Sequence, residues 1–113
     1  MEIFGKEYGF LLTVDALCTI SEACPAHDIN RIDEWIGDTV YSIAQSMKVM
    51  APAMSKAYCD VMRETDPEFK GEPLTDRIVG MMLPAQIVDL QKAIAEAYKT
   101  GQETSIDTES KKK

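Results

Sequence analysis

The sequence has 113 residues, of which 45% are hydrophobic and 27% charged, a length that suits one domain and a balance typical of folded globular proteins. It contains no apolar run of the roughly 20 residues that a membrane-spanning helix needs, and it is too apolar for a disordered chain. The formal net charge of −7 disfavours binding to nucleic acid, which relies on clustered Lys and Arg, and to anionic membranes.

The cysteines predict a reducing, cytoplasmic environment. Cys18, Cys24 and Cys59 make an odd number, and no charged region followed by an apolar signal segment opens the sequence,. Their spacing forms no Cys-x-x-Cys pair, and the single histidine, His27, does little to complete a zinc site,. We therefore expect free thiols that pack as small hydrophobic groups.

A β-hairpin is predicted over residues 2–13. Ile3 and Phe4 form its first strand, residues 5–7 its turn, and residues 8–12 its second strand, in which aromatic and aliphatic side chains alternate with other residues,. Two strands alone are marginal in water, so the hairpin is expected to pack its apolar face on helices.

Two helices with recognisable ends follow the hairpin. Thr13 is the expected N-cap of a helix that Pro25 terminates, and Asp28 that of a short helix stopped by Gly37,. The residues expected to face inward on these helices are Val14, Leu17, Ile20 and Ala23, then Ile29, Ile32, Trp35 and Ile36.

The longest helical pattern covers residues 39–64. Its apolar stripe consists of Val40, Ile43, Ala44, Met47, Met50, Ala51, Met54, Ala57, Tyr58 and Val61. Pro52 interrupts the pattern because proline lacks a backbone donor and clashes with the preceding turn. A kink or break beside Ala51, and hence two rods, is expected.

The remaining sequence predicts a loop over residues 65–73, a short helix over 74–83, and a helix from Pro84 to Gly101,. Its expected inward residues are Ile87, Leu90, Ile94, Ala97 and Tyr98. Residues 101–113 are predicted to form a disordered polar tail. The predicted fold is mainly α, a single domain over residues 1–100 in which an N-terminal β-hairpin packs on a compact bundle of about four to five helices.

The methionines suggest a surface for a partner. Four of the seven lie on the predicted helix 39–64, and methionine is flexible enough to fit surfaces of different shape. They either fill the core between helices or line a binding groove. Ten apolar positions on one helix exceed what a small monomer easily covers, which favours self-association or a partner helix. The candidate partner-binding residues are Met47, Met50, Met54, Tyr58 and Met62.

No motif for catalysis, cofactor binding or metal binding is found. The sequence contains no GxGxxG, GxxxxGK[ST], GxSxG or HExxH pattern,. His27 beside Asp28 is best interpreted as a solvated loop residue. We therefore expect no enzymatic activity, no cofactor and no metal.

Three segments resemble a known family. The opening IFGKEYGFLLTVDALCTISEACP, the following INRIDEW, and the later PLTDRIVGMMLPAQIVDLQKAIAEAYKTGQ are similar to the small tail assembly chaperones of long-tailed phages and prophages of Gram-positive bacteria. The resemblance covers almost the whole chain, and its motifs reflect packing rather than an active site.

The resemblance implies a largely helical, non-catalytic protein of the host cytoplasm that is absent from the mature virion. Such a protein self-associates and coats the tape measure protein until tail tube protein displaces it. In the family a longer product often arises by ribosomal slippage near the end of the short one, which draws attention to Lys111, Lys112 and Lys113. An alternative interpretation is a small cytoplasmic helical regulator or antitoxin-like interaction protein, whose short helix after Asp28 would read DNA.

Overall fold

The computed structural model describes the backbone of residues 1–111 and the side chains of residues 1–102. Two short 3-10 turns cover Pro25–His27 and Ile29–Arg31. The fold is mainly α with a two-stranded antiparallel hairpin at the N-terminus, which confirms the predicted fold class. Its elements are β1 (Glu2–Ile3), β2 (Lys6–Glu7), α1 (Val14–Ala23), α2 (Ile32–Ile36), α3 (Val40–Thr65), α4 (Asp76–Gly80) and α5 (Pro84–Lys111).

The hairpin turns earlier than the sequence predicts. Ile3 pairs with Lys6, so Phe4 and Gly5 alone form the turn. Both have positive φ angles, 50° and 79°, as a two-residue type I′ turn requires. The predicted turn over residues 5–7 and second strand over 8–12 are therefore wrong.

Tyr8 continues the hairpin, since its N–H donates to the Met1 carbonyl at 2.8 Å, whereas residues 9–13 leave the hairpin and cross α3. The Leu11 N–H donates to the Met54 carbonyl at 3.0 Å. The backbone of this segment therefore bonds to helix α3, whereas the sequence predicts that it bonds to the first strand of the hairpin. Gly9 permits the close approach, because a Cβ there would lie 2.6 Å from the Tyr58 ring. This crossing places the N-terminal segment on the helical bundle.

Helix α1 has the predicted start, while its buried face differs in part. The Thr13 Oγ1 accepts from the Ala16 N–H at 3.2 Å, and Ala16 and Ile20 are buried. Val14 was expected inward but is 76% exposed. Two residues of helix turn a side chain by about 200°, so burial of Ala16 directs Val14 to the opposite side.

The capped ends around α2 confirm the predicted short helix. The Asp28 carboxylate accepts from the Asn30 N–H at 2.9 Å and caps the 3-10 turn that leads into α2. Gly37 ends α2 with a φ of 68° and donates its N–H to the Asp33 carbonyl at 2.9 Å. Trp35 is half-buried against the core.

Helix α3 is one continuous element, contrary to the predicted two rods. Thr39 and Ser42 form a capping box at its start. Pro52 lies inside the helix without ending it. A proline removes one helical hydrogen bond, and the packing of α1, α2, α4 and α5 against α3 keeps the helix continuous through Pro52, so the expected break is wrong. Ala51, beside the proline, is fully buried.

Helix α5 begins at Pro84 as predicted but continues past Gly101 to Lys111. The expected helix end at Gly101 is therefore wrong. This glycine instead lets α5 pack closely against Leu12, since a Cβ there would lie 2.8 Å from the Leu12 Cβ. The predicted disordered tail, residues 101–113, falls largely on residues whose side chains lie outside the described part of the chain. Helix α4 covers only the middle of the segment predicted as helical over 74–83.

The orientation of α4 and α5 relative to α3 follows from contacts at both ends of each helix. The Leu74 N–H, just before α4, donates to the buried Ser55 Oγ at 2.8 Å, whereas Gly80, at the end of α4, lies against Lys48. Helix α4 therefore runs antiparallel to α3. Ile94 and Met50 line the same small cavity. Further along α5, Gly101 lies against Leu12, which follows the residue bonded to the Met54 carbonyl. Helix α5 therefore runs parallel to α3.

Candidate partner-binding surfaces

Three of the five predicted partner-binding residues belong to the core. Met47, Met50 and Met54 are at most 2% exposed and pack with Leu90 and Ile94 in one hydrophobic cluster. Their three- and four-residue spacing faces the neighbouring helices, as an inward helical stripe does. A partner cannot touch these side chains while the fold is intact, so their assignment to a partner surface is corrected to a core role.

Tyr58 and Met62, the other two predicted residues, lie beyond this cluster on α3 and are half-buried. The Tyr58 ring meets Phe69 edge to face, with 6.2 Å between centroids and 78° between planes, and it also covers Gly9. It thereby links the N-terminal segment to the loop after α3. The structure does not assemble the five predicted residues into one surface.

Exposed apolar side chains are found at a different place, which we call the apolar end. Each of its members is more than half exposed. Tyr41 lies two helical turns before Lys48, and Gly80, at the end of α4, lies near the Lys48 side chain. Because α5 runs parallel to α3, its first turns lie there too. The members are Val40, Tyr41, Met81, Leu83 and Val88.

A second surface, which we call the acidic groove, separates α1 from α3 and is closed at one side by residues 73–76. Its volume is about 750 Å³, within the range of about 300–1,000 Å³ that is usual for ligand pockets. Its apolar floor consists mainly of small side chains, namely Ala16, Val49, Pro52, Ala53, Ala57 and Leu74.

Charged side chains of both signs border the acidic groove, with acids in excess. Lys56 and Asp60 form an ion pair, with 2.8 Å between the ammonium nitrogen and a carboxylate oxygen. This hydrogen bond raises the pKa of Lys56. Four carboxylates against two ammonium groups give the rim a net charge of −2. The bordering charged residues are Asp15, Glu22, Asp60, Asp76, Lys48 and Lys56.

The cysteines fall into two classes. Cys18 is exposed and lines the acidic groove, contrary to the expectation of burial, whereas Cys24 and Cys59 are buried as predicted. Burial raises the pKa of both buried thiols. Within the described residues, no group of three His, Cys, Asp or Glu side chains is arranged to hold a metal ion. His27 is exposed in the turn after α1.

The polar groups inside the described part of the chain are satisfied. Ser46 and Ser55 are the buried polar residues; the Ser46 hydroxyl donates to the Ile43 carbonyl at 2.8 Å, and the Ser55 Oγ accepts from Leu74. No buried side-chain nitrogen or oxygen among these residues lacks a partner. These polar contacts are therefore structural.

Comparison with known proteins yields no relative: no protein-family model, curated protein or solved structure matches the chain. None of the helices within the described residues is both long enough and apolar enough to cross a membrane.

Proposed function

We propose that this protein is a non-catalytic tail assembly chaperone, which self-associates and coats a tape measure protein in the host cytoplasm until tail tube protein displaces it. The family resemblance of the three sequence segments supports this specific role. The apolar end of the bundle supports the broader class of protein-binding module, and it is the structural observation on which the proposal depends.

The apolar end favours association because it leaves large side chains in water. Burying a side chain such as Leu83 or Met81 against another protein contributes about 1.5–3 kcal/mol when burial is complete. Several exposed apolar side chains on the elements at one end of the bundle favour an interaction site there. The net charge of −7 opposes unspecific aggregation, so contacts at this end would remain reversible.

Reversible contacts suit a coating chaperone. When many subunits bind one long client, each contact contributes to avidity while any single contact can still be exchanged. Tail tube subunits could then replace the chaperone one subunit at a time. An enzyme-like site is not required for this process.

A matched pair of substitutions tests self-association. Val40 and Val14 are the first residues of α3 and α1, and they are 74% and 76% exposed, but only Val40 belongs to the apolar end. We expect the light-scattering mass of the unmodified protein to rise with concentration, Val40→Glu to lower it, and Val14→Glu to leave it unchanged. A strict monomer at high micromolar concentration would contradict the proposal.

The regulator alternative has less support from the residues around α2. The helix is five residues long and carries Asp33 and Glu34 in its first turn. Arg31, the basic residue next to it, is engaged by Glu34 at 2.8 Å. A DNA-reading helix would need free positive charge at this position. A salt-sensitive gel shift with duplex DNA at low micromolar protein would favour this alternative.

The gene offers a test that needs no protein. If the family role is correct, the codons of Lys111, Lys112 and Lys113 should lie in or near an adenine-rich slippery sequence, followed by an overlapping reading frame and a long tape measure gene. Lysine codons without an adenine run would count against slippage alone. Neighbours unrelated to phage tails would count against the chaperone role.

A further inference from the structure

The acidic groove has the shape of a helix-binding site. On α3 its lining extends from Lys48 to Asp60, which at 1.5 Å per residue is about 18 Å, or roughly three helical turns. The small floor residues Pro52 and Ala53 are half-buried and allow the backbone of another helix to come close. Amphipathic helices bind in apolar grooves of this kind.

The charge at the rim selects the kind of partner. Asp15 and Glu22 lie at the two ends of the α1 side of the groove, two turns apart, and Asp76 lies in the segment that closes one side of the groove. Asp60 is already neutralised by Lys56 at 2.8 Å. The remaining rim charges are the carboxylates of Asp15, Glu22 and Asp76 and the ammonium of Lys48. Their net charge of −2 complements a helix that carries positive charges beside an apolar stripe.

We propose that the acidic groove between α1 and α3 binds an amphipathic helix of a partner protein whose apolar stripe is flanked by Lys or Arg. The partner's apolar side chains contact the floor formed by Val49, Pro52 and Ala53. Its positive charges face Asp15 and Glu22. This inference deepens the proposed function, and it rests on that function only where the partner is taken to be the tape measure protein.

The probe is a synthetic helix of about 15 residues with a Leu/Ala stripe and Lys on both flanks, compared with a Glu-flanked version of equal apolarity. Binding is measured by fluorescence anisotropy of the labelled peptide. The second readout is the rate at which N-ethylmaleimide alkylates Cys18, the exposed thiol in the groove. We expect the Lys peptide to bind and to slow alkylation at least about fivefold, and the Glu peptide to do neither.

Matched charge variants test the location. Asp15→Asn with Glu22→Gln removes two carboxylates from the rim, whereas Asp89→Asn with Glu96→Gln removes two exposed carboxylates from α5, outside the groove. Exposed ion pairs contribute modestly, so we expect roughly fivefold weaker binding for the rim variant and no change for the control. High salt should reduce this difference because it screens exposed charges.

A separate variant tests the groove itself. Ala53→Gln places a longer side chain on the half-buried floor while keeping good helix propensity. It should weaken binding of the Lys peptide at any salt concentration. Equal binding of the two peptides, absence of binding, or unchanged affinity in the rim and floor variants would each overturn the proposal. Protection of Cys18 that rises with protein concentration without peptide would assign the groove to a second copy and also overturn it.

These results are separable from the proposed function. Self-association at the apolar end together with failed peptide binding would refute the groove and leave the chaperone role. Binding of the Lys peptide together with gene neighbours unrelated to phage tails would refute that role and leave the groove as a binding site.

Discussion

Truncation of Met54 tests whether the methionines form the core or a partner surface. Met54 is fully buried in the middle of α3, and its carbonyl is held by the Leu11 N–H at 3.0 Å. Ala51 and Ala57 on either side are also buried and too small to fill the space left by Met54→Ala. We therefore expect a loss in the range of about 2–5 kcal/mol, as for other buried methionines.

The assay is urea unfolding followed by circular dichroism, with Met81→Ala as the matched control. Met81 is 51% exposed, so its truncation should cost less than about 1 kcal/mol. A loss of about 3 kcal/mol at Met54 should lower the melting temperature by at least about 12 °C in a domain of this size. Equal unfolding midpoints for the two variants, or a stable Met54→Ala protein that no longer self-associates, would refute the assignment of Met54 to the core.

Three further predictions concern the turn, a helix contact and pH. Phe4→Asn should raise the free energy of unfolding by about 1 kcal/mol in thermal melts, because Phe4 has a φ of 50° that asparagine adopts more easily; a loss of stability would contradict this. Gly101→Ala, which normally stabilises a helix, should instead lower the urea midpoint because its Cβ would lie 2.8 Å from the Leu12 Cβ,; an increased midpoint would show that the contact relaxes freely. Burial raises the pKa of the Cys24 and Cys59 thiols, so the unfolded chain releases these protons first and stability should fall as pH rises above about 8.5. A double Cys→Ala variant should reduce that slope, and an unchanged slope would contradict the assignment.

Helix ends were predictable because their signals are local. Thr13 and Asp28 each cap the turn that follows them, and Pro84 begins α5. A capping side chain and its target lie within three residues of each other, so the sequence contains the whole interaction. These positions needed no knowledge of the tertiary fold.

Features that depend on distant residues were not predictable. Gly101 looks like a helix end until Leu12 is seen beside it. Val14 continues the apolar spacing of α1, yet burial of Ala16 and Ile20 directs it to solvent. The sequence pattern gives the face of a helix only approximately, and the packing partners determine which residues are covered.

The candidate surfaces were likewise predictable only where their residues lie close together in the sequence. The methionine stripe on α3 was recognised, but whether it faced the core or a partner depended on where α5 packs, and Met50 proved fully covered. The acidic groove combines residues about 60 positions apart, from Asp15 to Asp76. Its available sequence signal is the spacing of Asp15, Cys18 and Glu22 on one face of α1, which does not reveal the opposing wall.

If this protein is a tail assembly chaperone, its gene should lie beside a tape measure gene, and co-expression of the two proteins then tests whether one coats the other. We expect the tape measure protein to stay soluble and to co-purify with several copies of this protein, as measured by the light-scattering mass of the complex. Val40→Glu should reduce the number of copies per tape measure protein, and Val14→Glu should not. A tape measure protein that remains insoluble, or that purifies without this protein, would rule out the coating role.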